Sequence, residues 1–309
     1  MNVPEMVPAR ATQLPYFREI PLYAKVGEER FTLYKPAGMT ISEMRIGTER
    51  LPSPLYISRS DKLKGLQETQ EAFNKNLRSQ VASGETEAIK TTVISIVEET
   101  LLEPRSGGLE GLSETVDILI GDYAKESNVV KNLIDLSGTD YSSTIHSINV
   151  MALSLRYAFS TSMSAKETKT LGLSALLHDT GKSKLPPSIL QAPRRLTDEE
   201  FRLMQTHCTE GYDIITNCSF NDHRIALVAL EHHEKRDGTG YPVGKKNCDT
   251  LSEIVAIIDC YEAITTDERP YRNAMIPLEA LYLLKKEVEN GKYRRKFFEA
   301  FAYSLTRDL

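Results

Sequence analysis

The chain has 309 residues, of which 40% are apolar and 26% charged, with a formal net charge of −5 at pH 7. That composition suits a globular protein with room for two cores. No apolar run approaches the roughly 18 residues of a membrane span, and the N-terminus lacks the apolar heart of a signal peptide, so the expectation is a cytoplasmic protein without membrane insertion. The acidic balance argues against a nucleic-acid polymer as partner, which needs a basic footprint. It leaves room for a small phosphate ligand whose charge is met by metal ions. Cys208, Cys218, Cys248 and Cys260 show no CxxC pairing and read as reduced thiols.

In chain order, residues 16–58 read partly as strand. Ile20, Leu22, Ala24 and Val26 alternate with other residues, Gly27-Glu28-Glu29 offers a turn, and Phe31 and Leu33 follow. Pro36-Ala37-Gly38 is a breaker. After Ser60 the period changes: Leu63, Leu66, Phe73 and Leu77 fit one helix, and Ile89, Val93, Ile96 and Val97 fit another. Arg105–Gly111 reads as a loop. From Leu112 the pattern is helix after helix, interrupted at Pro186-Pro187 and Gly238–Pro242. Ser164–Glu167 and Thr197–Glu200 match the capping box. The expected protein is mainly α: a small α+β domain with connecting helices over residues 1–110, then an all-α domain over residues 111–309.

Six histidines carry the chemistry: His146, His178, His207, His223, His232 and His233. Imidazole is largely neutral at pH 7 and ready to coordinate. His178 is followed directly by Asp179, and His232 and His233 are adjacent. Asp259 closes the apolar run Ile254–Ile258, where an unpaired carboxylate is costly. Apart from His223, these positions recur at intervals of about 25–32 residues, which suits one ligand set per helix around a shared centre. Mixed imidazole and carboxylate ligands favour iron, manganese or zinc. His223, near a helix start, reads as an ordinary surface residue.

Three stretches resemble the HD-GYP family, the branch of the HD phosphohydrolases that degrades cyclic di-GMP in bacterial signalling. The first contains His178-Asp179, Gly181-Lys182, Leu196–Glu200, His207 and Gly211. The second is His232-His233-Glu234, Asp237-Gly238 and Gly240-Tyr241-Pro242. The third is Asp259, Tyr261, Ala263, Thr265 and Arg269–Arg272.

The resemblance implies an all-α HD-type fold for the second domain. It implies metal ligands at His146, His178, Asp179, His207, His232, His233 and Asp259, with Asp179 bridging two divalent ions, iron or alternatively manganese. It assigns Lys182 to phosphate charge, and Tyr241, Arg269 and Arg272 to the dinucleotide. The implied reaction is hydrolysis of cyclic di-GMP by a two-metal-activated hydroxide, giving linear pGpG and, after a second cut, GMP. Implied partners are cyclic di-GMP and diguanylate-cyclase-type or other signalling proteins. Residues 1–110 match no family pattern and read as a regulatory or partner-binding module.

Each minor position also has a plain structural reading. Lys182 could cap a helix end, Gly238–Pro242 could be an ordinary turn, and Glu234 could hold an imidazole or sit in solvent. The sequence departs from the family pattern at five places, one of them a segment after Pro242 that is shorter than usual. Ser142 stands where a third-metal glutamate occurs in some members, Glu253 where arginine is usual, and Glu262 where aspartate is usual. One extra residue precedes Arg269, so that Glu268 takes the arginine's interval. These departures suggest an altered substrate side. They keep two alternatives open: a low-turnover domain that binds a cyclic dinucleotide or a protein, and an HD-type phosphohydrolase acting on mononucleotides.

Overall fold

The computed structural model describes residues 5–28, 30–44, 54–123, 142–266 and 274–306. The chain divides into two compact units, Met1–Ser79 and Gln80–Leu309.

In the first unit, apolar–polar alternation builds a four-stranded antiparallel sheet in the order β1-β4-β2-β3. The strands are β1 (Met6–Pro8), β2 (Leu22–Lys25), β3 (Phe31–Lys35) and β4 (Leu55–Ser58). The β2–β3 turn closes with Val26 N–H donating to the Arg30 carbonyl at 2.9 Å; Glu29 of that turn lies outside the described residues. Phe17, Ile20, Leu22, Leu55 and Ile57 form the core. Lys35, at the end of β3, is also fully buried. Its ammonium donates to the carbonyls of Arg18 (3.2 Å), Pro36 (3.0 Å) and Met39 (2.8 Å), which uses all three of its protons. Helix α1 (Lys62–Ser83) follows, and Phe73 on it meets Tyr16 edge-on at 4.7 Å.

The second unit is entirely helical among the described residues. Its helices are α2 (Thr86–Leu101), α3 (Leu112–Tyr123), α4 (Ser143–Ser160), α5 (Ala165–Leu177), α6 (Pro187–Leu190), α7 (Asp198–Gln205), α8 (His207–Thr216), α9 (Arg224–Glu231), α10 (Thr250–Thr265), α11 (Pro277–Glu289) and α12 (Arg295–Thr306). Helices α4 and α5 are its centre. Helices α2, α10 and α12 pack on α4, while α3 and α9 pack on α5. Both central helices are buried nearly all round, as the apolar runs Ile148–Leu155 and Leu171–Leu177 require. No helix among the described residues is long and apolar enough to cross a membrane.

The capping expectations resolve differently. Thr197 and Glu200 form the full reciprocal box at the start of α7. At α5, Ser164 accepts from the Glu167 N–H at 3.3 Å, but the Glu167 carboxylate is drawn away to the Arg224 guanidinium at 3.0 and 3.1 Å. Ser142 caps α4 by accepting from the Ile145 N–H at 3.3 Å.

Candidate metal centre

Five elements deliver the charged and imidazole groups to one point. His146 comes from α4, Asp259 from α10, and His207 from the first position of α8. His178 and Asp179 follow the last residue of α5, and His232 and His233 follow the last of α9. All are buried except His233, whose side chain keeps 26% exposure. His223 is exposed at the start of α9 and takes no part.

The imidazoles are aimed by their outer nitrogens. Nδ1 of His178 donates to the Ala175 carbonyl at 2.7 Å, Nδ1 of His207 to Met204 at 2.6 Å, and Nδ1 of His232 to Ala229 at 3.0 Å. Each helix end thus spends a carbonyl that the helix leaves free. The same bond leaves Nε2 as a lone-pair donor facing inward. Nε2 of His146 and His178 stand 3.2 Å apart, and Nε2 of His207 and His232 stand 3.3 Å apart. Two lone pairs at that range repel unless a cation or proton lies between them. Ligand nitrogens about 2.1 Å from one ion are spaced by roughly this amount.

Asp179 sits between the two pairs. Its Oδ2 is 3.6 Å from His146 Nε2 and 3.4 Å from His178 Nε2, and its Oδ1 is 3.4 Å from His207 Nε2 and 3.8 Å from His232 Nε2. Asp259 closes the first pair with Oδ1 3.1 Å from His146 Nε2, and Oδ2 faces His233 Nδ1 at 3.9 Å. Three overlapping groups could hold an ion: Asp179 with His207, His232 and His233; His146 with His178 and Asp179; His178 with His232 and Asp259. Asp179 Oδ1 is buried and has no hydrogen-bond partner. An orphaned buried carboxylate oxygen costs several kcal/mol, so the donor set fits divalent cations.

The electrostatics agree. Burial lowers the pKa of His207, of His232 and of His233, the last to about 3, so these rings are neutral and able to coordinate. Burial would raise Asp179, but Lys182 and His178 hold it well below the usual carboxylate range. Burial opposes the charged form of His146 as well, yet Asp259 and Glu262 raise it to about 10.

Glu262 is the residue that sequence reasoning misplaced. It was expected to alter the substrate side. It lies behind the cluster, accepting from His146 Nδ1 at 2.5 Å and from Asn149 Nδ2 at 2.8 Å, and it is 2% exposed. Glutamate reaches the imidazole because α10 packs along α4. Glu253 corrects in the same direction: its carboxylate is paired with the Arg294 guanidinium at 2.7 and 3.0 Å. Glu234 neither holds an imidazole nor faces solvent. Its two oxygens accept from the backbone N–H groups of Val243 and Lys245, both at 2.9 Å, binding the Gly238–Pro242 turn to the end of α9.

Two glycines make the close approaches. A Cβ on Gly181 would lie 1.9 Å from the His207 carbonyl oxygen, so the turn after Asp179 can press against α8 only without a side chain. A Cβ on Gly240 would lie 2.5 Å from the His233 carbonyl oxygen. This second contact delivers Tyr241 across a cis peptide to Pro242, with its ring 4.6 Å from that of His233 and 5.9 Å from Phe201. Lys182 lies against Asp179 Oδ2 and keeps 25% side-chain exposure. Arg269, Arg272 and Glu268 lie outside the described residues.

The family pattern described as "HD domain" matches residues 128–296. A cyclic di-GMP phosphodiesterase of Pseudomonas aeruginosa is 34% identical over 195 residues, covering 62% of this chain and 46% of the relative. A 3′3′-cGAMP-specific phosphodiesterase of Vibrio cholerae is 33% identical, over 50% of this chain and 36% of its own. A cyclic di-GMP phosphodiesterase of Thermotoga maritima is 30% identical, over 70% and 60%. The chain thus spans less than two thirds of these relatives. A solved HDG"Y"P protein from Bdellovibrio bacteriovorus shares the fold with a TM-score of 0.62 at 19% identity, covering 97% of this chain and 99% of its own.

Proposed function

Because the chain belongs to the HD-domain family and carries the motif residues of its HD-GYP branch, we propose that it is a metal-dependent phosphodiesterase that hydrolyses cyclic di-GMP to pGpG and then GMP. The observation that carries this reading is the position of Asp179, whose two oxygens face two separate histidine pairs. One carboxylate so placed can bridge two cations. His146, His178 and Asp259 would complete one site, and His207, His232 and His233 the other. Nitrogen and oxygen donors without thiolate suit iron, with manganese as the alternative.

Bound divalent ions polarise a phosphodiester and make hydroxide available from water at neutral pH. The protein's own part is orientation and charge. Carbonyl bonds to Nδ1 fix the tautomer of three imidazoles, and Glu262 does the same for His146. Lys182, against Asp179 and part-exposed, offers its ammonium to charge developing on the scissile phosphate. The Gly238–Pro242 turn places Tyr241 as a wall beside His233, where a sugar or base can lie. Arg269 and Arg272 remain the proposed dinucleotide contacts of the 267–273 segment, and residues 1–110 the proposed regulatory or partner-binding module.

The test is elemental analysis of anaerobically purified protein, with turnover of cyclic di-GMP, 3′3′-cGAMP and a mononucleotide panel. Two ions per chain and hydrolysis of cyclic di-GMP are expected. A single zinc, or a preference for mononucleotides, would overturn the reading.

A further inference from the structure

Helix α7 has no buried residue and is held by its two ends. At its start the Thr197–Glu200 box closes, and the Arg194 guanidinium grips the Glu200 carboxylate at 2.6 and 2.7 Å. At its finish the Met204 carbonyl accepts from Nδ1 of His207 at 2.6 Å, which sets the helix against the histidine–aspartate cluster. Phe201 stands three residues before Met204, on the same helix face, and is 46% exposed.

A lone exposed aromatic needs no explanation, but Phe201 belongs to a row of rings. The His207 and His233 rings stand 5.2 Å apart, and Tyr241 lies 4.6 Å from His233. Phe201 meets Tyr241 at 5.9 Å with the ring planes 80° apart. The row begins at the buried cluster and Phe201 is its outer, exposed member. The charges beside it are occupied: Glu200 with Arg194, and Glu199 with Arg202 at 3.7 Å. What α7 presents next to Tyr241 is therefore an apolar ring that anchors no core and prolongs the wall of the site outward.

We propose that Phe201 is a platform for a base, on which a purine of the cyclic dinucleotide stacks. The assignment deepens the phosphodiesterase reading and rests on it. A phosphate at the cluster leaves its base one sugar away, and Phe201 stands one ring beyond His233, across Tyr241. An aromatic face accepts any base, because every base has a π-face, and it holds the larger purine ring system over more area. Phe201 thereby makes the site prefer purine dinucleotides without a hydrogen bond to the base.

The experiment varies the base and keeps both phosphates. Full-length, metal-loaded protein and its Phe201→Ala, Phe201→Leu and Phe201→Trp variants are assayed on cyclic di-GMP and cyclic di-UMP. Phe201→Ala should raise KM for cyclic di-GMP about tenfold, as loss of one base stack implies. Its effect on kcat, and on KM for cyclic di-UMP, should be far smaller, so the purine preference shrinks. Phe201→Leu, apolar but not aromatic, should behave like Phe201→Ala, whereas Phe201→Trp should keep the wild-type KM. The chain has no tryptophan, so Phe201→Trp also supplies a sole indole. Stopped-flow mixing should show its emission quenched before turnover, more by cyclic di-GMP than by cyclic di-UMP. Equal losses on both dinucleotides, or a fall in metal content in Phe201→Ala, would make Phe201 structural and overturn the assignment. An unchanged KM in Phe201→Ala, or an indole blind to cyclic di-GMP that the protein still cuts, would overturn it while leaving the proposed function standing. Wild-type protein that leaves cyclic di-GMP uncut overturns the proposed function, and this assignment with it.

Discussion

Each unit of the chain buries charge, and the two do so in opposite ways. In the first, Lys35 is sealed from solvent and gives all three protons to backbone carbonyls. In the second, Asp179 is equally buried yet keeps one oxygen without a hydrogen-bond partner, while four Nε2 atoms converge on it. Buried polarity that the protein satisfies itself is architecture. Buried polarity left open on one side is a binding site, because only a ligand can repay the lost hydration.

That contrast is broken most severely at Asp179. Asp179→Asn removes the anion that both histidine pairs share. Turnover should fall on the order of 10³-fold, as loss of several kcal/mol of transition-state stabilisation implies, and elemental analysis should show one ion lost. Glu262→Gln is milder, since the amide still reaches His146 but no longer as an anion. It should cost about 10–100-fold in metal affinity, read by competition with a chelator.

The same pair predicts a pH signature. In metal-free protein the folded pKa of His146 is raised to about 10 from its ordinary 6.5. Its charged form therefore stabilises the fold fully below about pH 6.5, and that contribution is lost as pH rises towards 10. Thermal melts of metal-free protein should record this decline, and His146→Gln should flatten it. Metal uptake must displace this proton, so affinity should rise with pH over the same window.

Lys35→Met tests the architectural side. It strands three carbonyls and should destabilise the first unit by about 2–4 kcal/mol, with the metal content of the second unit unaltered. The smallest effect should come from removing the first unit altogether. A chain of residues 80–309 retains every proposed ligand and also keeps α2, which packs on α4. It should fold and bind metal as the full chain does, whereas one starting at Leu112 strips α2 away and should lose stability. Circular dichroism and metal analysis separate these outcomes.

The readability of the sequence follows the same division. The clustered histidines and aspartates were legible because the His-Asp and His-His pairs carry their neighbours' spacing with them, and helix periodicity placed the core of α1 and α2 by the same local logic. Glu262 was not legible in its true role. Its contact with His146 spans 116 residues and exists only because α4 and α10 lie side by side. Glu253 needed Arg294, 41 residues on, to be understood. Lys35 looked like any strand-end lysine, because its partners are carbonyls, which every residue has.

Glu234 has a consequence for descent as well as for structure. Its carboxylate ties the histidine pair to the glycine–tyrosine–proline turn, so the two halves of the signature are one closed ring of chain. A lineage that exchanged this glutamate would be free to let the turn drift, and a lineage that lost the turn would have no further use for the acid. Among descendants, the two should disappear together, and substitutions at Glu234 should be found beside altered lengths between His233 and Lys245.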